Sequence, residues 1–169
     1  MKSVFISAVM LVAGLAVAGP VSDSVKVIRV VDGDTLKVEL AGRKESVRLI
    51  GIDTPESKAN KKAKKDAGRS NQDVKTIVSL GKAATEFTKS IIKPGDWVTI
   101  EQDVQARDRY GRILAYVYLK SGKMLNEEII AAGYASVMTI PPNIRHQERF
   151  LRAYRAAREG GLGLWAISP

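Results

Sequence analysis

Over residues 24–50 apolar side chains recur close to every second position, which commits this stretch to strands with one buried face. Val25, Val27 and Val30 belong to a first strand that Asp32-Gly33-Asp34 breaks. Leu36, Val38 and Leu40 then alternate with Lys37 and Glu39, a clear period of two. Ala41-Gly42-Arg43-Lys44 supplies turn residues for a hairpin, and Val47 with Leu49 begins a third strand. That third run, VRLIGIDTPE over residues 47–56, sets Arg48 among apolar neighbours and ends in two carboxylates around a proline. A charge on a buried face is costly unless paired, so Arg48 requires a partner.

Residues 57–72 have no apolar periodicity and are expected to form a polar, basic loop, with Lys58, Lys61, Lys62, Lys64, Lys65 and Arg69 against Asp66 alone. Asp73 can cap a helix in which Val74, Ile77, Leu80, Ala84, Phe87 and Ile91 recur at helical spacing until Pro94-Gly95. Trp97, Val98 and Ile100 predict a fourth strand and Ile113 to Leu119 a fifth, separated by the charged turn RDRYGR at 107–112. A short helix is expected from Leu125 to Ala132, ended by Gly133. A last helix covers roughly His146 to Arg158, with Phe150, Leu151 and Tyr154 on one face and Gly160-Gly161 as its stop. There is no internal repeat and no interdomain linker. The pattern predicts an α+β, mainly β domain: a five-stranded Greek-key barrel of the OB type with about three helices.

Residues 1–18 read as a signal peptide, with Lys2 at the charged end, no charge over 4–18, and Ala16-Val17-Ala18 as the cleavage motif. The domain is then residues 19–169, secreted or periplasmic, with no membrane partner after cleavage; an uncleaved anchor is the alternative. The chain has no cysteine and a single histidine, His146. Thiol nucleophiles, thiolate zinc sites and multi-histidine metal clusters are therefore excluded, and any metal must be a hard cation held by oxygen, such as Ca²⁺ or Mg²⁺. The formal charge of +9 attracts nucleic acid, anionic lipid or acidic glycan alike.

Taken singly, the polar residues have ordinary structural readings. Asp32-Gly33-Asp34 is turn chemistry, Asp53 and Glu56 flank a strand-ending proline, Arg48 can be one half of an ion pair, and Arg112 can be solvated. Together they say more. If the strands pair as read, Asp34 and Asp53 reach the same barrel end, where two carboxylates need a compensating charge that a divalent cation supplies. Arginines aimed at the same place make sense if an anionic group such as a phosphodiester bridges metal and guanidinium.

These motifs resemble the staphylococcal-nuclease-like (thermonuclease) family: DGDT at 32–35, VRLIGIDTPE at 47–56, RDRYGR at 107–112, GKMLNEEIIAAGYA at 122–135, and a Pro-Asn before His146. The resemblance runs over nearly the whole mature chain. It implies an OB-fold barrel and a Ca²⁺-dependent nuclease that acts on DNA and RNA and leaves 3′-phosphate ends. By resemblance, Asp34 and Asp53 match the metal carboxylates and Thr54 the residue that lends its backbone carbonyl. Glu56 matches the acid near the attacking water, Arg48 and Arg112 the arginines on the scissile phosphate, and Tyr110 a tyrosine near the nucleotide. Arg109 stands where the family often has lysine, and Glu101 with His146 matches a structural pair. The departure lies at 138–142, MTIPP, where the best-known member has a tyrosine-bearing segment beside the base.

The expected mechanism is metal-assisted phosphodiester hydrolysis. Arg48, Glu56 and Arg112 act on the phosphate and water, and Arg109, Tyr110, Lys61, Lys62, Lys64 and Lys65 bind substrate. A monomer is expected. The competing reading, a non-catalytic OB-fold module that binds single-stranded nucleic acid, needs the basic residues and tyrosines but not Asp34, Asp53 and Glu56 together.

Overall fold

The computed structural model describes residues 22–167. The signal-peptide reading of 1–18 lies outside the described residues. Strand β1 (Ser22–Asp32) is long enough to pair twice. Its first half lies antiparallel to β5 (Trp97–Glu101) and its second half antiparallel to β2 (Thr35–Leu40). Register shifts between Val27 and Arg29 and between Val30 and Asp32 let the strand coil as it changes partner. With β3 (Arg43–Leu49) and β6 (Ile113–Tyr118) running parallel, the order β1-β2-β3-β6-β5 closes into a barrel. This is the expected OB-type architecture.

The alternation read from the sequence fills the interior. Val25, Val27, Leu36, Val38, Val47 and Leu49 are buried together with Ile100, Ile113 and Tyr116, and Ile129, Ile130 and Phe150 close the core from the helices. The β2–β3 hairpin turns on Ala41 and Gly42, both with positive φ (50° and 75°), the backbone twist that matches paired strands. Helices α2 (Val74–Ile91), α3 (Leu125–Ala131) and α4 (Gln147–Glu159) stand where the periodicity places them, and a 3₁₀ turn follows at Gly163–Ile167. No described helix is long and apolar enough to cross a membrane.

Two expectations need correction. The third strand does not continue through Ile52: β3 ends at Leu49, and a separate strand β4 (Gly51–Asp53) pairs with β7 (Ser136–Met138) outside the barrel. Gly51 makes the break at φ +81°, and a Cβ there would sit 2.4 Å from the Phe150 ring. The expected 57–72 loop contains helix α1 (Lys61–Ser70), which makes four α-helices among the described residues rather than about three. Asn60 caps α1 by accepting from the Ala63 amide. Its buried face is only Ala63 and Ala67, one turn apart, packed on Val74, Ile77 and Val78 of α2. Alanine and lysine form helices readily without any large apolar residue to mark the period.

On the far wall, the Tyr118 hydroxyl donates to Glu101 at 2.7 Å, Arg145 pairs with the same carboxylate, and His146 Nε2 lies 3.5 Å from it. Burial and the Glu101 contact push the Tyr118 phenol up to about 12. Burial opposes the Glu101 charge, but the bonds from Tyr118 and Arg145 outweigh it and hold this carboxyl below its ordinary value of 4.5. A carboxyl depressed on folding contributes stability above its unfolded pKa and loses it as pH falls through the folded value. Glu101→Gln should therefore lower the melting temperature at neutral pH while narrowing the gap between neutral pH and pH about 3, as thermal denaturation by circular dichroism would record.

Candidate active site

The answer to the buried arginine lies at one end of the barrel. Arg48 stands on β3 opposite Thr35, so its side chain emerges beside the β1–β2 turn that carries Asp34. Its Nη2 is 3.2 Å from Asp34 Oδ2 and 3.1 Å from Asp53 Oδ1, while Nη1 donates to the Leu49 carbonyl at 2.6 Å. Asp34 is further fixed by donors on Thr54: the amide at 3.0 Å and the hydroxyl at 3.1 Å reach Oδ2, and the Thr35 hydroxyl reaches Oδ1. The β4–β7 pairing carries Asp53 to the same spot, opposite Ser136. Burial raises the Asp53 carboxyl above its ordinary value, with Asp34 pushing the same way against the cations Lys62 and Arg48.

Helix α2 sets the depth of the site. Thr88 donates to the Gly33 carbonyl and Thr85 to Asp32, tying the Asp-Gly turn to the helix. A Cβ on Gly33 would meet the Thr54 side chain at 2.8 Å, and one on Gly81 of α2 would meet the Glu56 backbone at 2.3 Å. Gly81 is thus the gap into which the chain carrying Glu56 packs. Glu56 itself accepts from Asn60 at 2.7 Å. From the other side, Asn126 at the start of α3 donates to the Ile50 carbonyl and accepts from Val117, pinning the chain just before β4.

The opposite wall is the 107–112 turn. Asp108 Oδ1 accepts from the Tyr110 and Arg112 amides, and Oδ2 accepts from Arg112 Nε at 2.7 Å. The side of the guanidinium that bears Nε is therefore clamped. Burial opposes the Asp108 charge, yet the bonds from Arg112 hold its carboxyl below the usual range. Arg107 anchors the turn through a two-pronged pair with Glu45 on β3. Asp32, Asp34, Arg48, Asp53, Glu56, Lys62, Arg109 and Arg112 all line one open cleft of about 690 Å³.

The pattern of the family described as staphylococcal nuclease homologue matches residues 46–167, which takes in Arg48, Asp53, Glu56 and Arg112. The chain belongs to the staphylococcal nuclease family. It is 37% identical over 142 residues to the thermonuclease of Staphylococcus hyicus, covering 83% of this chain and 75% of that one. It is 36% identical over 144 residues to the thermonuclease of Staphylococcus intermedius, covering 85% and 76%. Endonuclease YncB of Bacillus subtilis is 34% identical over 142 residues, or 83% of this chain and 60% of YncB.

In this nuclease homologue the sequence-selected residues separate into two groups. Asp34, Arg48, Asp53, Glu56, Arg109 and Arg112 share the cleft, and Thr54 sits buried behind Asp34 with its carbonyl turned to Lys62. Tyr110 lies at the surface, 69% exposed, stacked under Arg109. Lys61, Lys64 and Lys65 are exposed on α1 and do not line the cleft. Lys62 does line it, but its ammonium is bound to Asp53, Glu56 and the Thr54 carbonyl. In the 138–142 segment, Met138 and Ile140 line the cleft, giving an apolar rim where rings were absent from the sequence.

Among the described residues no three acidic or histidine side chains converge as a ready metal cage. The oxygens nonetheless fit a hard cation, because the Lys62 ammonium already gathers Asp53, Glu56 and the Thr54 carbonyl within 3.1–3.3 Å. Asp32, Gly81, Asp108 and Asn126 also shape the site, although none of them was expected as a site residue from the sequence. Asp108 was readable, since an Asp four residues before an Arg across a Tyr-Gly turn is placed to cap it.

Two glycines on helices give opposite expectations. Gly68 on α1 has open space around its Cβ position, so Gly68→Ala should stabilise by about 0.5–1 kcal/mol. Gly81→Ala should instead destabilise by about 1–3 kcal/mol, because the methyl group meets backbone. It should also lower activity by displacing Glu56. Urea unfolding of both variants, with turnover measured alongside, checks this.

Proposed function

We propose that this phosphodiester-hydrolysing nuclease of the staphylococcal nuclease family is an exported, Ca²⁺-dependent monomer that cleaves DNA and RNA and leaves 3′-phosphate ends. The observation that carries the reading is a single cleft in which Arg48 and Arg112 face a set of carboxylates, Asp34, Asp53 and Glu56. Arginines and carboxylates serve one another in any ion pair, but a phosphate with a cation beside it uses both at once. Export rests on the N-terminal signal pattern.

In this reading the carboxylates of Asp34 and Asp53 and the carbonyl of Thr54 hold Ca²⁺, which when bound polarises a phosphate oxygen. Arg112 presents its terminal nitrogens to the phosphate, and Arg48, whose terminal nitrogens rest on Asp34, Asp53 and the Leu49 carbonyl, places its positive charge beside it. Both favour the extra negative charge that develops as water adds to phosphorus. The Asp108 clamp on Nε leaves the Arg112 terminal nitrogens for that task. Glu56 takes a proton from the attacking water. The P–O5′ bond then breaks, the 5′-oxygen takes a proton from solvent and leaves as a hydroxyl, and the phosphate remains on the 3′ side. Arg109 and Tyr110 meet the nucleotide at the cleft mouth, while Lys61, Lys64 and Lys65 on α1 attract the strand.

Cleavage of single-stranded DNA should stop on chelation with EDTA and return with Ca²⁺, and end-labelled products should carry 3′-phosphate. Persistent activity in EDTA would remove the metal from the mechanism.

Glu56→Gln should reduce turnover by roughly 10²–10⁴-fold through loss of the proton acceptor. Arg112→Lys should reduce it by roughly 10²–10³-fold, since lysine keeps the charge and loses the fork. Far-ultraviolet circular dichroism of both should match the parent. Near-normal cleavage by either variant would exclude that residue from the chemistry.

A further inference from the structure

Lys62 is the one α1 lysine whose ammonium leaves the solvent face. Its Nζ lies 3.1 Å from Glu56 Oε1, 3.3 Å from Asp53 Oδ1, 3.2 Å from the Thr54 carbonyl and 3.5 Å from Asp66. Three of those four oxygens come from the 53–56 segment, two of them from the residues that the proposed function gives to Ca²⁺. The fourth, Asp66, stands one turn further along the same helix. The neighbouring Lys61, Lys64 and Lys65 are exposed, so this contact is not a general property of a basic helix.

We propose that Lys62 is a built-in counter-cation that holds the Ca²⁺ site closed, and that Ca²⁺ enters by displacing its ammonium. A Ca²⁺ ion on Asp53 and the Thr54 carbonyl would take the place the Lys62 ammonium now holds. Its double charge at contact distance repels that ammonium more strongly than Arg48 does, which already shares Asp53 with it. Without metal, Lys62 compensates Asp53 and Glu56, which would otherwise repel each other across the same small space. With metal, the side chain swings back toward Asp66 and the cleft mouth, where its charge becomes available to a polynucleotide phosphate. Metal and strand then reinforce each other: a phosphate that captures Lys62 frees the metal oxygens, and a metal that expels Lys62 supplies a phosphate partner. Such coupling is reciprocal by necessity.

This inference rests on Ca²⁺ binding at Asp53 and Thr54, and its test separates the two claims. Calcium binding is measured by titration calorimetry on the parent, Lys62→Met, Lys62→Gln and the exposed control Lys64→Met, each checked for folding by circular dichroism. Loss of a partly screened charge in contact with the ligands should tighten Ca²⁺ binding by about tenfold in both Lys62 variants. Lys64→Met should stay within about twofold of the parent, since an exposed charge off the site is screened. Without metal, both Lys62 variants should melt below the parent, and saturating Ca²⁺ should raise their melting temperature more. If the parent and all variants bind Ca²⁺ alike, the gate is wrong and the metal site stands. If none binds Ca²⁺, both fall. Binding by the Lys62 variants alone would support the gate in its strongest form.

Discussion

The contact of one guanidinium with two carboxylates, Arg48 with Asp34 and Asp53, organises this molecule. All three side chains are largely withdrawn from water, with 12%, 10% and 24% of their surface left. Buried charges hold only when every partner is in place, and loss of one leaves the others uncompensated. The arrangement therefore demands that the β1–β2 turn, strand β3 and the outlying strand β4 arrive at one point together. The Thr54 amide and hydroxyl complete the set by donating to Asp34. What looks like an active site from the cleft is, from behind, the knot that joins three segments of chain.

The rest of the fold meets this demand through short-range contacts. Helix α2 reaches the Asp-Gly turn through Thr85 and Thr88 and receives the Glu56 backbone against Gly81. Asn126 fastens Ile50 to the barrel from within the core. On the other wall, Asp108 folds the 107–112 turn around its own carboxylate and in doing so orients Arg112. Charged groups that point into the cleft are thus each held by a neutral or charged partner behind them. That is how a basic chain keeps arginines and carboxylates a few ångströms apart without their collapsing into arbitrary pairs.

The barrel was legible because period-two alternation at Val25, Val27, Leu36, Val38, Val47 and Leu49 has only one structural use, and these residues are all buried. Asp34 in DGDT and Asp53 in DTPE were legible as neighbours because both follow strands that end on one side of that barrel, whereas RDRYGR joined the site only through the family resemblance. Helix α1 was not legible, since its inner face is two alanines and its remaining residues are charged or small. The break at Gly51 was hidden for another reason: a left-handed glycine between Ile50 and Ile52 leaves the apolar pattern unchanged. The destination of Lys62 was hidden too. Among neighbouring lysines, only the helical phase of α1 selects which one turns inward, and a chain read as loop has no phase.

The double pairing of β1 also orders events in time. Its second half meets β2 a few residues later in the chain, whereas its first half waits for Trp97–Glu101. The nearer pairing closes a short loop and the farther one a long loop, so the hairpins that bring Asp34 and Arg48 together can assemble well before the barrel shuts. Arg112 joins afterwards, with β6. As the chain is made from its N-terminus, the acidic wall of the cleft is available before the arginine that completes it. Until β5 is in place, the leading half of β1 remains an unpaired edge.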